Sequence, residues 1–351
     1  MKIGIVTVNE VFNCGSFLQS YALNKTLTKL CECKVVFLKN KYPASIKLWY
    51  RSLQSLKLFC TGKVHLAKHV LCVYFNFKKA HKKMKIQRTS NGIDLMIYGS
   101  DTIWNMNDPY FNEQWKRYWG CDFTGRKVSY AASIDSTPDD ALLCRKELCE
   151  ALDAFDKISV RDISTENFVK KAVLSERDIY RVVDPTMLLD ADEYKRMAPH
   201  IDQSGFIFFY YFGSVPLNIK KQTIEFAQKT GRKIIAMGSG CDFADKTVCN
   251  DPFLMLSYYM NADFVVTNTF HGNIFSLIFN KQFISLGKNK KKVRNLLDEF
   301  GQLDRLIDEG TDIESLFNSN IDFDESNRIL SISKERSLSY LRDIIAGVEE
   351  K

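Results

Sequence analysis

The chain has 351 residues, 45% of them hydrophobic and 26% charged, the make-up of a soluble globular protein long enough for two ordinary domains. No apolar run approaches the roughly 20 residues that cross a bilayer, which excludes a transmembrane helix. The formal net charge of +7 is unevenly spread: residues 33–93 hold fourteen Lys/Arg and no Asp or Glu, and the rest of the chain is net acidic.

Met1-Lys2-Ile3-Gly4-Ile5-Val6 opens directly as a strand, without a signal-peptide pattern. Ten cysteines are scattered with no Cys-x-x-Cys pair. This usage predicts a reducing, cytoplasmic setting, buried thiols acting as small hydrophobes, and no metal centre. A strand over 2–8 leads through a loop over 9–15 to a helix over 16–30, with Phe17, Leu18, Tyr21, Leu23 and Leu27 at helical spacing. A strand over 34–38 completes a βαβ unit. The single Gly15 at the helix start is no dinucleotide fingerprint, and Asn13 and Ser16 are good N-cap types.

The basic segment then predicts two or three helices between about 46 and 86, its cations interleaved with aromatic and aliphatic residues. Such helices suit an anionic membrane surface or lipid head group, with Lys78, Lys79, Lys82 and Lys83 as the expected contacts. A solvated helical insertion and a nucleic-acid contact are the other readings. A strand over 94–98 ends in Gly99-Ser100-Asp101, followed by Trp104-Asn105. Asp101 there either meets a sugar hydroxyl or caps the next turn. Strands over 127–131 and 157–160, helices over 139–152 and 163–171, and a short strand at 182–183 follow. Arg161, at a strand end, aims its guanidinium at a crevice where it matches carboxylate or phosphate bidentately. Its alternative is a salt bridge to Asp162 or Glu166.

The pattern weakens between Asp190 and Ser204, and a domain boundary is placed there. This gives an N-terminal domain over 1–198, a C-terminal domain over 199–325, and a terminal helix over 326–351 packing back on the first. The second half repeats the alternation: strand 206–211, helix 217–230 closed by Gly231, strand 233–237, and helix 252–261 opened by Asp251-Pro252. Next come strand 264–267, a turn over 268–272, helix 273–279, strand 282–286, a basic loop over 288–292 and helix 293–300. Two such sets imply an α/β protein of two Rossmann-like, doubly wound domains facing across a cleft. His271 falls between a strand end and a helix start, where an anion is welcome and a proton donor beside it is useful. Its other reading is a helix cap.

Several motifs in order carry a resemblance. They are Asn13-x-Gly15-Ser16-x-Leu18-Gln19-x-Tyr21-Ala22-Leu23, Gly99-Ser100-Asp101-x-x-Trp104-Asn105, Tyr130-Ala131-Ala132-Ser133, Ser159-Val160-Arg161, Asp184-Pro185-Thr186, Asp251-Pro252-Phe253, and the run 262–267 with Phe270-His271-Gly272. Over about residues 1–310 the chain resembles the polysaccharide pyruvyl transferase family. The resemblance implies a GT-B-like arrangement and transfer of pyruvate from phosphoenolpyruvate to two sugar hydroxyls, giving a cyclic ketal. It implies His271 as general acid and Arg161 as a phosphoenolpyruvate ligand. Lys288, Arg294 and Gly272 are expected at the same anion, and Asn13, Ser16, Asp101 and Trp104 on the acceptor side. No cofactor is expected beyond phosphoenolpyruvate as donor substrate. The expected acceptor is a polyprenyl-diphosphate-linked oligosaccharide, a precursor of capsule or exopolysaccharide, met at the inner face of the cell membrane. The chain departs from the family at Thr269, where some relatives carry arginine, and at Asp135, where many carry glycine. The alternatives are a GT-B glycosyltransferase using a nucleotide sugar, and a non-catalytic protein binding membrane or nucleic acid.

Overall fold

A computed structural model describes residues 1–40, 47–287 and 290–349. The first half builds a parallel sheet from β1 (Lys2–Val6), β2 (Lys34–Leu38), β3 (Ile86–Gln87), β4 (Leu95–Tyr98) and β5 (Lys127–Ser129), in the order β3-β2-β1-β4-β5. Ile3 pairs with Val35 on one side and Leu95 on the other. A parallel pair, β6 (Ile158–Val160) and β7 (Ile179–Arg181), continues this sheet through bridges from Val128 to Lys157 and from Ala132 to Val160.

The second half repeats the order. β8 (Phe206–Tyr211), β9 (Ile234–Gly238), β10 (Lys246–Val248), β11 (Ala262–Thr267) and β12 (Gln282–Ser285) run parallel as β10-β9-β8-β11-β12. Both orders are those of doubly wound folds, with helices on both faces. This explains why β8 is buried at all six residues: a central parallel strand meets apolar cover above and below. The terminal helix Asp324–Glu349 lies against the first half. There Ser337 Oγ accepts the Val183 N–H at 3.0 Å and the Tyr340 hydroxyl donates to the Ser129 carbonyl at 2.8 Å.

Most expected elements form, with some shifts. The expected helix over 139–152 is two, Asp139–Leu143 and Lys146–Asp153, because Arg145 leaves helical geometry (φ −101°, ψ 87°). The strand expected at 182–183 lies earlier, as β7; Val182 only adds one N–H to the Val160 carbonyl at 3.0 Å. β10 has no counterpart in the sequence reading, since two of its three residues are exposed edge positions. The helix expected from Asn273 starts at Phe270, because Thr269 caps it.

Helix α1 (Cys14–Leu30), capped by Asn13, carries Phe17 into an aromatic cluster with Tyr21, Phe77, His81 and Phe253. Helices α2 (Leu48–Cys60) and α3 (Val64–His81) form the basic segment as one hairpin. Burial in the cluster pulls the His81 imidazole down to about 4, a backbone hydrogen bond with Asn9 acting weakly the other way. The folded chain therefore prefers the neutral ring, while the unfolded chain takes its proton near pH 6.5. His81 contributes stability that is complete above pH ~6.5 and is lost as the pH falls toward about 4. In this window wild type should lose roughly 1 kcal/mol per pH unit more than His81→Phe. Urea unfolding at a series of pH values checks this, and parallel slopes for the two proteins would contradict it.

Candidate active site

Each sheet has a switch point, between β1 and β4 and between β8 and β11, and ligands of open α/β sheets bind at the carboxyl ends of such strands. The two switch points face each other. Between them lies a cleft of about 540 Å³, lined by Asn13, Ser16, Asp101 and Arg161 from the first half and by Thr269, His271, Lys290 and Lys292 from the second. That size suits a small ligand. A second cavity of about 300 Å³ adjoins it, and Arg161, Phe270 and Lys292 line both.

The cluster at the cleft floor is held by Asp184. Arg161 Nη1 donates to Asp184 Oδ2 at 3.0 Å, and His271 Nε2 stands 3.5 Å from the same oxygen. Oδ1 accepts the Thr186 N–H at 3.1 Å and the Thr186 hydroxyl at 2.7 Å. Burial alone would raise the Asp184 carboxyl, but His271 and Arg161 outweigh it and hold it well below the usual carboxylate range. Asp101 follows the same balance: burial raises it, and Arg161, His271 and Lys292 together bring it below its ordinary value. Its Oδ2 accepts the Ser16 hydroxyl at 2.8 Å, and its Oδ1 lies 3.8 Å from Arg161 Nη1.

Arg161 is nearly sealed from water, and Phe270 of the second half covers its guanidinium at 4.3 Å. Its Nε and Nη2 are buried and have no hydrogen-bond partner among the described residues. Buried donors of this kind are costly unless something accepts from them. The two nitrogens form one edge of the planar fork, which matches a carboxylate or a phosphate.

Local sequence explains the approach of the halves. Thr269 Oγ1 accepts the Gly272 N–H at 2.9 Å and caps the helix Phe270–Ile278. His271 is thus in the first turn rather than ahead of the helix. Gly15 lies opposite: a Cβ there would stand 2.3 Å from His271 Nδ1. Only glycine lets the start of α1 and the His271 ring come this close.

The structure brings His271, Arg161, Asp101, Ser16 and Asn13 together. Other expected site residues stand elsewhere. Trp104 is fully buried, stacked on Trp119 at 5.2 Å, with its indole N–H on the Tyr118 carbonyl; it is core, because it turns away from the strand end. Arg294 is exposed on the helix Lys291–Glu299 and is not among the residues lining the cleft. Lys292, two residues earlier and so on the opposite face of the helix, takes that place. Gly272 is a packing glycine whose N–H is already bonded to Thr269; a Cβ there would meet Thr267 Oγ1 at 2.1 Å. Lys288 lies outside the described residues. Lys78, Lys79, Lys82 and Lys83 are exposed at and just beyond the C-terminal end of α3. Arg161 pairs with neither Asp162 nor Glu166 but with Asp184 and Asp101.

Sequence reading did not select Asp184, Phe270, Lys290 and Lys292. The Asp184-Pro185-Thr186 motif and the basic loop were the signals that could have found three of them. Asp135 has φ 52°, a left-handed geometry that glycine meets most easily, and its carboxylate pairs with Lys292 at 3.2 Å.

Two facing Rossmann-like domains with a charged cleft at both switch points define a GT-B-type protein. Solved structures share this fold. A protein of Listeria monocytogenes described as a UDP-N-acetylglucosamine 2-epimerase superposes with a TM-score of 0.55 at 9% identity, covering 100% of this chain and 97% of that one. S. aureus MnaA with UDP gives 0.53 at 10% identity, covering 99% and 95%. At such identities the likeness is one of fold. No curated protein matches the chain in sequence. The chain belongs to the polysaccharide pyruvyl transferase family, whose model matches residues 13–289. It is accordingly a transferase of polysaccharide pyruvylation.

The contact of Gly15 with His271 has a direct consequence. Gly15→Ala should lower stability by about 1–3 kcal/mol through overpacking. His271→Gly, which also removes the Cβ that would lie 2.7 Å from the new methyl, should remove most of that penalty, so the double variant should unfold close to the His271→Gly single. A full, additive loss in the double variant would locate the clash elsewhere.

Proposed function

We propose that the cleft transfers pyruvate from phosphoenolpyruvate to two hydroxyls of one sugar, closing a cyclic ketal on a lipid-linked precursor of a surface polysaccharide. The observation that carries this reading is the pair of buried, unpartnered nitrogens on Arg161 beside His271. Phosphoenolpyruvate has a carboxylate and a phosphate, so its site calls for several cations. Arg161 takes one anion in its fork. Lys290 and Lys292 line the same cleft and stand in for the arginine that some relatives carry at the Thr269 position.

In this mechanism the His271 imidazolium gives its proton to C3 of phosphoenolpyruvate, and C2 becomes oxocarbenium-like. A sugar hydroxyl bonds to C2 and its proton passes to the now neutral imidazole. The C2–O bond to phosphate breaks, the second hydroxyl bonds to C2 and closes the ring, and its proton passes to the departing phosphate, which leaves as inorganic phosphate. Asp184 orients His271 and Arg161 and counters their charge. Asn13, Ser16 and Asp101, at the end of the first sheet, are the acceptor contacts. Nothing in these steps needs a cofactor.

Thermal unfolding tests the donor. Phosphoenolpyruvate at about 100 times its dissociation constant should stabilise the fold by about 2.7 kcal/mol. Arg161→Lys, which keeps a charge but loses the fork, should lose most of this shift. His271→Gln should keep it and lose phosphate release in the presence of lipid-linked oligosaccharide. A shift with a UDP-sugar and none with phosphoenolpyruvate would replace this reading with a nucleotide-sugar glycosyltransferase. Near wild-type release by His271→Gln would remove His271 as the acid.

A further inference from the structure

More than half of the exposed large apolar side chains among the described residues fall on the α2–α3 hairpin. On α2 they form a pattern. Trp49, Leu53 and Leu56 are 56%, 58% and 58% exposed, and with exposed Cys60 they stand at i, i+4, i+7 and i+11, one face of a helix. The opposite face holds Arg51 and Ser55 beside the half-buried Leu58. Arg51 lies over the Phe12 ring at 4.7 Å, and the Ser55 hydroxyl donates to the Ala67 carbonyl at 3.0 Å. This reverses the usual order of a surface helix, which turns its apolar stripe inward. Lys47, Lys57 and Lys63 flank the stripe, and neither α2 nor α3 contains an acidic residue.

We propose that the outward face of α2 docks the protein on an anionic lipid surface, with Trp49, Leu53 and Leu56 entering the head-group boundary and Lys57 and Lys63 meeting lipid phosphates. Charge selects this occupant. A second copy of the chain would bring the same uncompensated lysines against each other. Nucleic acid would satisfy the lysines and leave the apolar stripe uncovered. An anionic bilayer supplies both an apolar phase and phosphates. No described helix is long and apolar enough to cross a membrane, and α2, with 13 residues, lies along the surface for about 20 Å.

This moves the contact away from Lys78, Lys79, Lys82 and Lys83. Those lysines sit at the far end of α3 from the Thr61–Lys63 turn, where Lys83 Nζ stands 5.2 Å over the Phe253 ring. The hairpin is rooted at the cleft rim: Phe12 packs on Tyr74 at 5.9 Å and Phe77 at 5.5 Å, and its neighbours Val11 and Asn13 line the cleft. Docking through α2 therefore brings the cleft close to the lipid surface. The inference does not depend on which group the cleft transfers.

Flotation with phosphatidylcholine vesicles, with and without phosphatidylglycerol, tests it on the full chain. Wild type should float with the anionic vesicles only. The Trp49→Ser/Leu53→Ser/Leu56→Ser variant and, separately, the Lys57→Glu/Lys63→Glu variant should each lower the bound fraction at least about tenfold. Far-UV circular dichroism and the unfolding midpoint should stay unchanged, since these side chains are exposed. Equal flotation of wild type and the triple variant would overturn the proposal. So would a halved solution mass in the triple variant, which would assign the stripe to a second copy, or RNA binding that survives loss of the stripe while vesicle binding is absent.

Discussion

A single buried carboxylate organises this protein. Asp184 is almost fully excluded from water, yet burial does not neutralise it, because Arg161 and His271 converge on one of its oxygens and Thr186 occupies the other. Arg161 follows β6 in the first half, and His271 belongs to a helix of the second. The carboxylate is therefore an electrostatic joint between the halves. Breaking such a buried arrangement by removing one partner costs about 3–5 kcal/mol, since the other charge is left uncompensated. The joint also fixes direction. With Nη1 tied to Asp184, the remaining edge of the guanidinium is left without an acceptor, and that edge is what an incoming anion can use.

The joint is possible because the two chain segments it binds can approach closely. Gly15 removes a side chain where the His271 ring passes, and Thr269 ties off the helix start so that His271 sits in its first turn. Phe270, next in sequence, covers Arg161 and keeps water from its face. These small local choices set the width of the cleft. Asp135 pairs with Lys292, and Asp101 and Asp184 hold Nη1 of Arg161, so the cations here are largely matched and the open Nε–Nη2 edge of Arg161 is what favours an anionic ligand.

Much of this was legible in the sequence, and the physical reason is consistent. Central strands bury both faces, so β8 reads at its true bounds; the edge strand β10 carries exposed residues and does not read at all. Residues at strand ends, such as Asp101, Arg161 and His271, were recognisable because topology alone sends them to the cleft. Partner choice was not recognisable. Arg161 has acidic neighbours in Asp162 and Glu166, but Asp162 caps the next helix and holds the Ser133 hydroxyl, and Glu166 pairs with Lys170. The free carboxylate came from Asp184, brought near only by the packed fold. Trp104 failed for the same reason: its place in a motif says nothing of the direction its ring takes, and Trp119 drew it into the core. Lys292 replaced Arg294 because two residues along a helix turn by about 200°, which places them on opposite faces.

The most direct test of the account is a crystal structure of the protein with phosphoenolpyruvate. The account predicts one anionic group of the ligand within about 2.7–3.2 Å of Arg161 Nε and Nη2, with the methylene carbon facing the His271 ring and Asp184 still holding Nη1. A ligand bound away from Arg161, or one that displaces Asp184 to reach it, would contradict the claim that the buried carboxylate positions this site.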